Sequence, residues 1–429
     1  MWTFFICGIV LLLYAWIRFK KRVFYPSIVF CFMWGMNCFM HFLIYAGYIN
    51  PLTDISTFEY IYMDKYIIYF TVVSIIGFSL AHAIYRKQKN NFKIDSILID
   101  SILNKYRWIM WLNFYGGIFR IIAMVSVVGF SFSNVLDYRL AANAMMLSFH
   151  GGLIGWIFRL TAYINMLGIM YVALSGLRAG FSKLDMNYTI KLFVLFAPVQ
   201  MATGGRLFIL YFIIFYFGSF LLGRGIFKQV TSGKWILNEE RKSIMKMMMI
   251  MMPLVVAISL ARGEGGVSGI TNYGGSFFDP FSYISDGTMT TDKCMDFFKG
   301  GKRLTPVLGT TTFIGTSEPE IDFRYYKHTS NFSSSVYTMI VPLFLDFGYW
   351  GSLIIWAFLA FIIESFALTA LSKMTLIRFL IYAMLLKICY ESILTNPFAS
   401  NIPFFELIIL LTIFYKPLFG FGEAKRLKS

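Results

Sequence analysis

An all-helical protein that crosses a membrane many times is the fold class this sequence predicts, and three observations predict it. Of its 429 residues, 58% are hydrophobic, 19% aromatic and only 14% charged, the composition of a chain solvated by lipid. Its mean hydropathy is +0.66. The apolar residues fall into windows of membrane length separated by short, basic connections. Lipid offers no partner to an open sheet edge, so such windows must be helices.

Eleven windows approach the roughly 20 apolar residues that a span requires: 2–18, 26–49, 62–84, 108–129, 151–175, 189–203, 206–223, 244–261, 347–371, 376–394 and 403–419. The first is a span rather than a cleavable signal peptide, because its charges follow the apolar run. The sixth is short and abuts Thr203-Gly204-Gly205, which predicts a broken or tilted helix. In the eighth, Met245 to Pro253 is a methionine-rich helix start; thioethers alone make poor ligands for hard metals. Three segments follow from these windows: membrane helices over 1–261, a large polar insert over 262–346, and membrane helices over 347–429.

The net charge of +16 invites a nucleic-acid reading, but its distribution opposes one. Alternate connections hold Arg18, Lys20, Lys21 and Arg22, then Arg86 to Arg107, Arg178 to Lys191, Arg224 to Lys246, Lys373 with Arg378, and the basic C-terminus. The acids Asp95, Asp100, Asp185, Glu239, Glu240 and Glu423 offset few of these charges. The positive-inside rule puts these connections in the cytoplasm, the C-terminus with them, and the N-terminus and insert outside. Cys294 is the insert's one cysteine, so no disulfide framework braces it.

The insert combines Gly263-Glu264-Gly265-Gly266, Gly274-Gly275, Pro306 and Pro319, which predict loop and turns. Thr288 to Phe298 has the pattern of a short amphipathic helix, with Met289, Met295, Phe297 and Phe298 facing the membrane interface. A loop of this length is usually functional.

Ionisable residues inside spans are costly and mark functional positions. The expected topology puts Arg120, Arg159 and Lys387 about 10–12 Å below the external surface, at 1.5 Å per residue. Arg206 opens the seventh span beside a glycine pair whose backbone can approach a phosphate. Together they outline an outward-facing anion cavity; the bland alternative is that each snorkels or pairs singly with Glu391 or Glu406. A lipid-linked diphosphate has its phosphates at this depth, and arginine suits it through bidentate donors.

Among the histidines, His41 and His82 read as packed or hydrogen-bonded helix residues and His150 as a helix start. His328, in Arg324-Tyr325-Tyr326-Lys327-His328, is placed to take a proton from a sugar hydroxyl, or is a surface-loop histidine. Glu318, Glu320 and Asp322 form a solvated acidic run rather than a convergent cation site. Asp54, Glu59 and Asp64 in the first external loop define a rival, carboxylate-dependent chemistry. No Ser-His-Asp, zinc or Walker spacing is present, which excludes ATP-driven and triad-hydrolase classes.

Asn331 to Tyr337-Thr338, leading into Asp346-Phe347-Gly348-Tyr349-Trp350-Gly351, resembles the bacterial O-antigen and repeat-unit polymerases (Wzy-type) at the point where their periplasmic loop returns to the membrane. Thr203-Gly204-Gly205-Arg206 and Tyr138-Arg139 resemble further motifs of that family. The resemblance implies an inner-membrane glycosyltransferase with a GT-C-like bundle, polymerising undecaprenyl-diphosphate-linked oligosaccharides at the periplasmic face without nucleotide sugar, cofactor or metal. Its implied partners are the lipid-linked oligosaccharide, membrane lipid, a chain-length regulator and a flippase.

On this reading Arg206, Arg139, Arg262 and Arg324 hold the diphosphate, supported by Arg120, Arg159 and Lys387. His328 or Asp346 deprotonates the acceptor, Asp346 alternatively being a helix N-cap, and Asn331, Tyr325, Tyr326 and Tyr337 bind sugar. A flippase or other polysaccharide transporter, an O-antigen ligase, and a glycosyltransferase using Asp54, Glu59 or Asp64 remain open.

Overall fold

A computed structural model describes residues 2–19, 24–46, 61–85, 96–128, 152–182, 185–202, 211–232, 288, 291–292, 295–296, 326–329, 332–334, 338–372 and 374–393. The chain folds into two compact units. Unit 1 comprises Met1–Phe92 and Phe278–Phe405, and unit 2 comprises Lys93–Phe277 and Glu406–Ser429.

Unit 1 contains α1 (Trp2–Arg18), α2 (Pro26–Tyr45), α3 (Met63–Tyr85), the strands β1 (Tyr326–Thr329) and β2 (Phe332–Ser334), α9 (Ile340–Ser372) and α10 (Leu376–Glu391). Unit 2 contains α4 (Ser96–Lys105), α5 (Trp108–Val128), α6 (Gly152–Phe181), α7 (Met186–Ala202), a π-turn (Ile213–Phe217) and α8 (Gly218–Ser232). Nine of the eleven predicted windows fall on these helices; 244–261 and 403–419 lie outside the described residues. Among the described residues, three stretches are long and apolar enough to cross a membrane: Pro26–Leu43, Met63–Tyr85 and Phe347–Ser372. Trp2–Arg18, Trp108–Ala123 within α5 and Leu167–Phe181 within α6 are shorter apolar stretches among the described residues.

Burial is arranged for lipid. Along α9, Trp350, Ile354, Phe358 and Phe366 recur at helical spacing on the exposed face, while Leu353, Trp356, Ala360, Ile363 and Ala367 are buried. The same helix buries Ser352 and Glu364 without exposure. A helix that turns large apolar side chains outward and polar ones inward is stable only where the solvent is hydrocarbon. This is a membrane protein.

An aromatic cluster forms the core of unit 1. Phe30 and Trp34 of α2, Phe70 and Phe78 of α3, and Trp356 of α9 are 0–1% exposed. Phe30 and Trp356 lie 4.8 Å apart, as do Trp34 and Phe70, ring centre to ring centre. Each indole N–H finds an oxygen: Trp356 donates to Ser74 Oγ at 2.7 Å and Trp34 to Ser392 Oγ at 3.0 Å. Burying these rings therefore strands no donor.

Two elements were not expected. The strands β1 and β2 form an antiparallel ribbon within the insert, where loop was predicted. The basic stretch after α3 contains α4, whose Ile99, Ile102 and Leu103 are buried while Ile97 is 75% exposed. It is tied to α6 by Arg178 Nε donating to Asp100 Oδ1 at 2.6 Å. Over the sixth window lies α7, which contains Pro198; Thr203-Gly204-Gly205, where a break was expected, lies outside the described residues.

Candidate functional site

Within unit 1, polar side chains of the insert clamp it to α2 and to the start of α3. The first N–H groups of a helix have no partner inside it. At the start of α3, Asp292 supplies one: Oδ2 accepts from Ile61 N at 3.1 Å, and Oδ1 from Tyr62 N at 2.8 Å and Met63 N at 2.7 Å. Beside it, Thr288 Oγ1 donates to Asn37 Oδ1 at 2.8 Å and Thr291 shares a 2.8 Å hydroxyl bond with Thr338. Thr288, Thr291, Asp292 and Met295 are helical and 0% exposed. The expected helix is thus present at these positions. Its buried stripe, however, runs through Thr288, Thr291 and Asp292 and packs Met295 into protein, not against the membrane interface.

The return of the insert is fixed at the same end. Thr338 N donates to Thr291 Oγ1 at 3.3 Å, and Met339 N to Ser392 O at 2.9 Å. The ribbon lies just ahead. Its register pairs Lys327 with Ser333 and Thr329 with Phe332, so His328 is an extra residue, the position of a β-bulge. Bulges re-aim a strand and concentrate near functional positions. After Thr338 the chain is already helical from Ile340, six residues before the expected boundary at Asp346. The helix is interrupted at Gly348, where φ is 69° and ψ −172°. A side chain is strained at that φ, so glycine makes the break between the insert's last turns and the span that follows.

The predicted residues divide as follows. Arg139, Arg206, Arg262, Arg324, Tyr325, Asn331 and Tyr337 lie outside the described residues, as do Asp54 and Glu59. Tyr326 and His328 belong to β1, Asp346 to α9 ahead of its break, and Arg159 to the first half of α6. Asp64 lies in the first turn of α3, next to the amides that Asp292 binds. Arg120 is 2% exposed inside α5. Lys387 pairs with Glu391 one turn on, at 3.6 Å, the single pairing that the sequence offered as an alternative.

A second arrangement, at the opposite ends of α2 and α3 in unit 1, had no counterpart among the predicted site residues. Glu364 of α9 is wholly buried. Its Oε2 accepts from Ser27 N at 3.0 Å, and Oε1 from Ser27 Oγ at 2.6 Å and His82 Nε2 at 2.6 Å. An ionised carboxylate only accepts, and toward one the imidazole hydrogen sits on Nε2. Tyr25 meets the His82 ring edge-on at 5.2 Å. Burial and then the Glu364 carboxylate push the Tyr25 phenol up to about 12, which keeps it neutral. Arg18 and Tyr14 share Ser79 nearby, and the Tyr382 hydroxyl donates to the Phe24 carbonyl.

Chemically, the first arrangement is a held loop followed by a helix broken at the start of the membrane-length stretch Phe347–Ser372. The second is an acid–imidazole pair inside spanning helices, able to bind or pass a proton. Among the described residues, no three His, Cys, Asp or Glu side chains converge as a metal site. No known family, curated protein sequence or solved structure matches the chain.

Proposed function

We propose that the chain joins lipid-linked oligosaccharide repeats at the face of the membrane that carries the insert. The observation that carries this reading is the insert's return: His328 at the bulge of a ribbon, then Asp346 just before the Gly348 break, behind a polar clamp. A glycan-joining site needs a fixed acceptor platform at the membrane boundary, where the diphosphate of a lipid carrier resides. In the proposed reaction an acceptor hydroxyl attacks the sugar C1, the C1–O bond to phosphate breaks, and the lipid diphosphate departs with the bonding electrons. His328 takes the hydroxyl proton. On the sequence reading, Arg206, Arg139, Arg262 and Arg324 offset the charge gathering on the diphosphate. The eleven-span, GT-C-like bundle and the orientation with the insert outside belong to this proposal.

Gel analysis of surface polysaccharide from cells lacking the gene tests it. A single-repeat band in place of the ladder is the expected result, and complementation with His328→Ala should leave it there. Unsubstituted core would favour a ligase or flippase, and an unchanged ladder would sink the proposal.

The Glu364–His82 pair favours a second reading, a proton-coupled polysaccharide transporter, because titratable pairs inside spans serve as proton relays. Transport by protein reconstituted in vesicles, abolished by Glu364→Gln, would establish that reading over the first.

A further inference from the structure

We propose that unit 2 holds a binding pocket for the phosphate headgroup of an anionic lipid, independent of the glycan reading. A cavity of about 490 Å³ opens where the start of α5, the end of α6 and the start of α7 meet α4. Pockets of about 300–1,000 Å³ are the usual size for small-molecule sites.

Charge decides what it binds. Arg107, Arg178 and Lys191 line the cavity together with Asp100 and Asp185. Both acids are engaged: Asp100 takes Arg178 Nε at 2.6 Å, and Asp185 Oδ1 takes Asn187 N at 3.0 Å and Tyr188 N at 3.2 Å at the start of α7. Arg107 and Lys191 enter no ion pair within the described residues, and both are exposed. Three cations against two carboxylates, one of them paired with Arg178, leave the cavity an excess of positive charge, the field that attracts an anion.

The walls indicate an amphiphile. Tyr171, Ser175 and Tyr188 give the cavity a polar wall, and Leu103, Met110, Leu192 and Leu195 an apolar one. Hydrogen bonds hold the polar wall: Tyr171 donates to Leu103 O at 3.0 Å and Tyr188 reaches Ser175 Oγ at 3.4 Å. The cavity also lies at the ends of the apolar helices Trp108–Ala123 and Leu167–Phe181, beside α4, whose exposed Ile97 suits a membrane surface. A phosphate between Arg107 and Lys191, with its acyl chains along the apolar wall, satisfies both halves.

Native mass spectrometry of the full chain released from nanodiscs tests this, with phosphatidylglycerol, phosphatidylcholine and inorganic pyrophosphate each titrated separately. Phosphatidylglycerol should bind about tenfold more tightly than phosphatidylcholine, and the Arg107→Gln/Lys191→Gln double variant should lose that preference. Lys65→Gln, an exposed cation of unit 1, should retain it. The double variant leaves Arg178–Asp100 in place, and matched melting temperatures would show that it folds. Equal binding of the two lipids, or an undiminished preference in the double variant, overturns the pocket. Tight binding of pyrophosphate without a lipid preference retains the anion chemistry and overturns the lipid source.

Discussion

Two buried carboxylates in unit 1 do the same local job with different partners. Asp292 and Glu364 are both unexposed, and each reaches the start of a helix hundreds of residues away in sequence. Asp292 receives three backbone N–H groups of α3. Glu364 receives one backbone N–H of α2, then the Ser27 hydroxyl and the His82 imidazole. Backbone amides at a helix start cannot rotate away or titrate, so Asp292 is a permanent clamp. A hydroxyl can turn and an imidazole can gain a proton, so the bonding at Glu364 has more than one possible state. Out of water both carboxylates need donors, and the choice of donor separates a fixed anchor from an adjustable one.

Substitutions can break that comparison, the largest effect coming first. Asp292→Ala should orphan the three amides and lower stability by about 3 kcal/mol, at the lower end of what several unsatisfied buried donors cost. Thermal unfolding in detergent would show it, and an unmoved midpoint would mean that the clamp contributes nothing. The Glu364 site should differ in being coupled to a side chain. A double-mutant cycle with Glu364→Gln and His82→Gln should give an interaction of about 1–3 kcal/mol, whereas strict additivity would dissolve the distinction drawn above. Ser27→Ala removes a single hydroxyl donor and should cost about 1 kcal/mol. A larger loss for Ser27→Ala than for His82→Gln would make the hydroxyl, not the imidazole, the main partner.

The spans were legible because lipid imposes one rule, continuous apolar length, on every helix. Windows such as 62–84 and 108–129 lie within a few residues of α3 and α5. His82 was read as a hydrogen-bonded helix residue and is one, but its partner was invisible. Glu364 sits in an apolar run 282 residues away, and periodicity cannot pair such positions. The clamp was misjudged for a different reason. Thr288, Thr291, Asp292 and Met295 recur at helical spacing, but three polar residues of four look like a solvated stripe. Only the unsatisfied amides of α3 make that stripe worth burying, and no single segment reveals them. Lys387–Glu391, by contrast, was readable from its i,i+4 spacing. Most of the proposed arginines lie outside the described residues, so their grouping rests on sequence alone.

One contact in unit 2 has a further consequence. Gly176 of α6 lies so close to the π-turn that a Cβ there would stand 2.1 Å from Tyr216 O, and Gly180 would meet Phe220 O at 2.5 Å. The two backbones touch, as in small-residue packing between membrane helices. A π-turn is an α-helix with one residue inserted. Deleting a single residue between Ile213 and Phe217 should therefore restore regular winding and rotate Tyr211 and Phe212 by roughly 100° relative to Gly223. Locked against α6 at Gly176 and Gly180, the helix can absorb that rotation only on the side before the π-turn. An insertion of one residue thus sets the angular bearing of Tyr211 and Phe212, a form of tuning that needs no change of side chain.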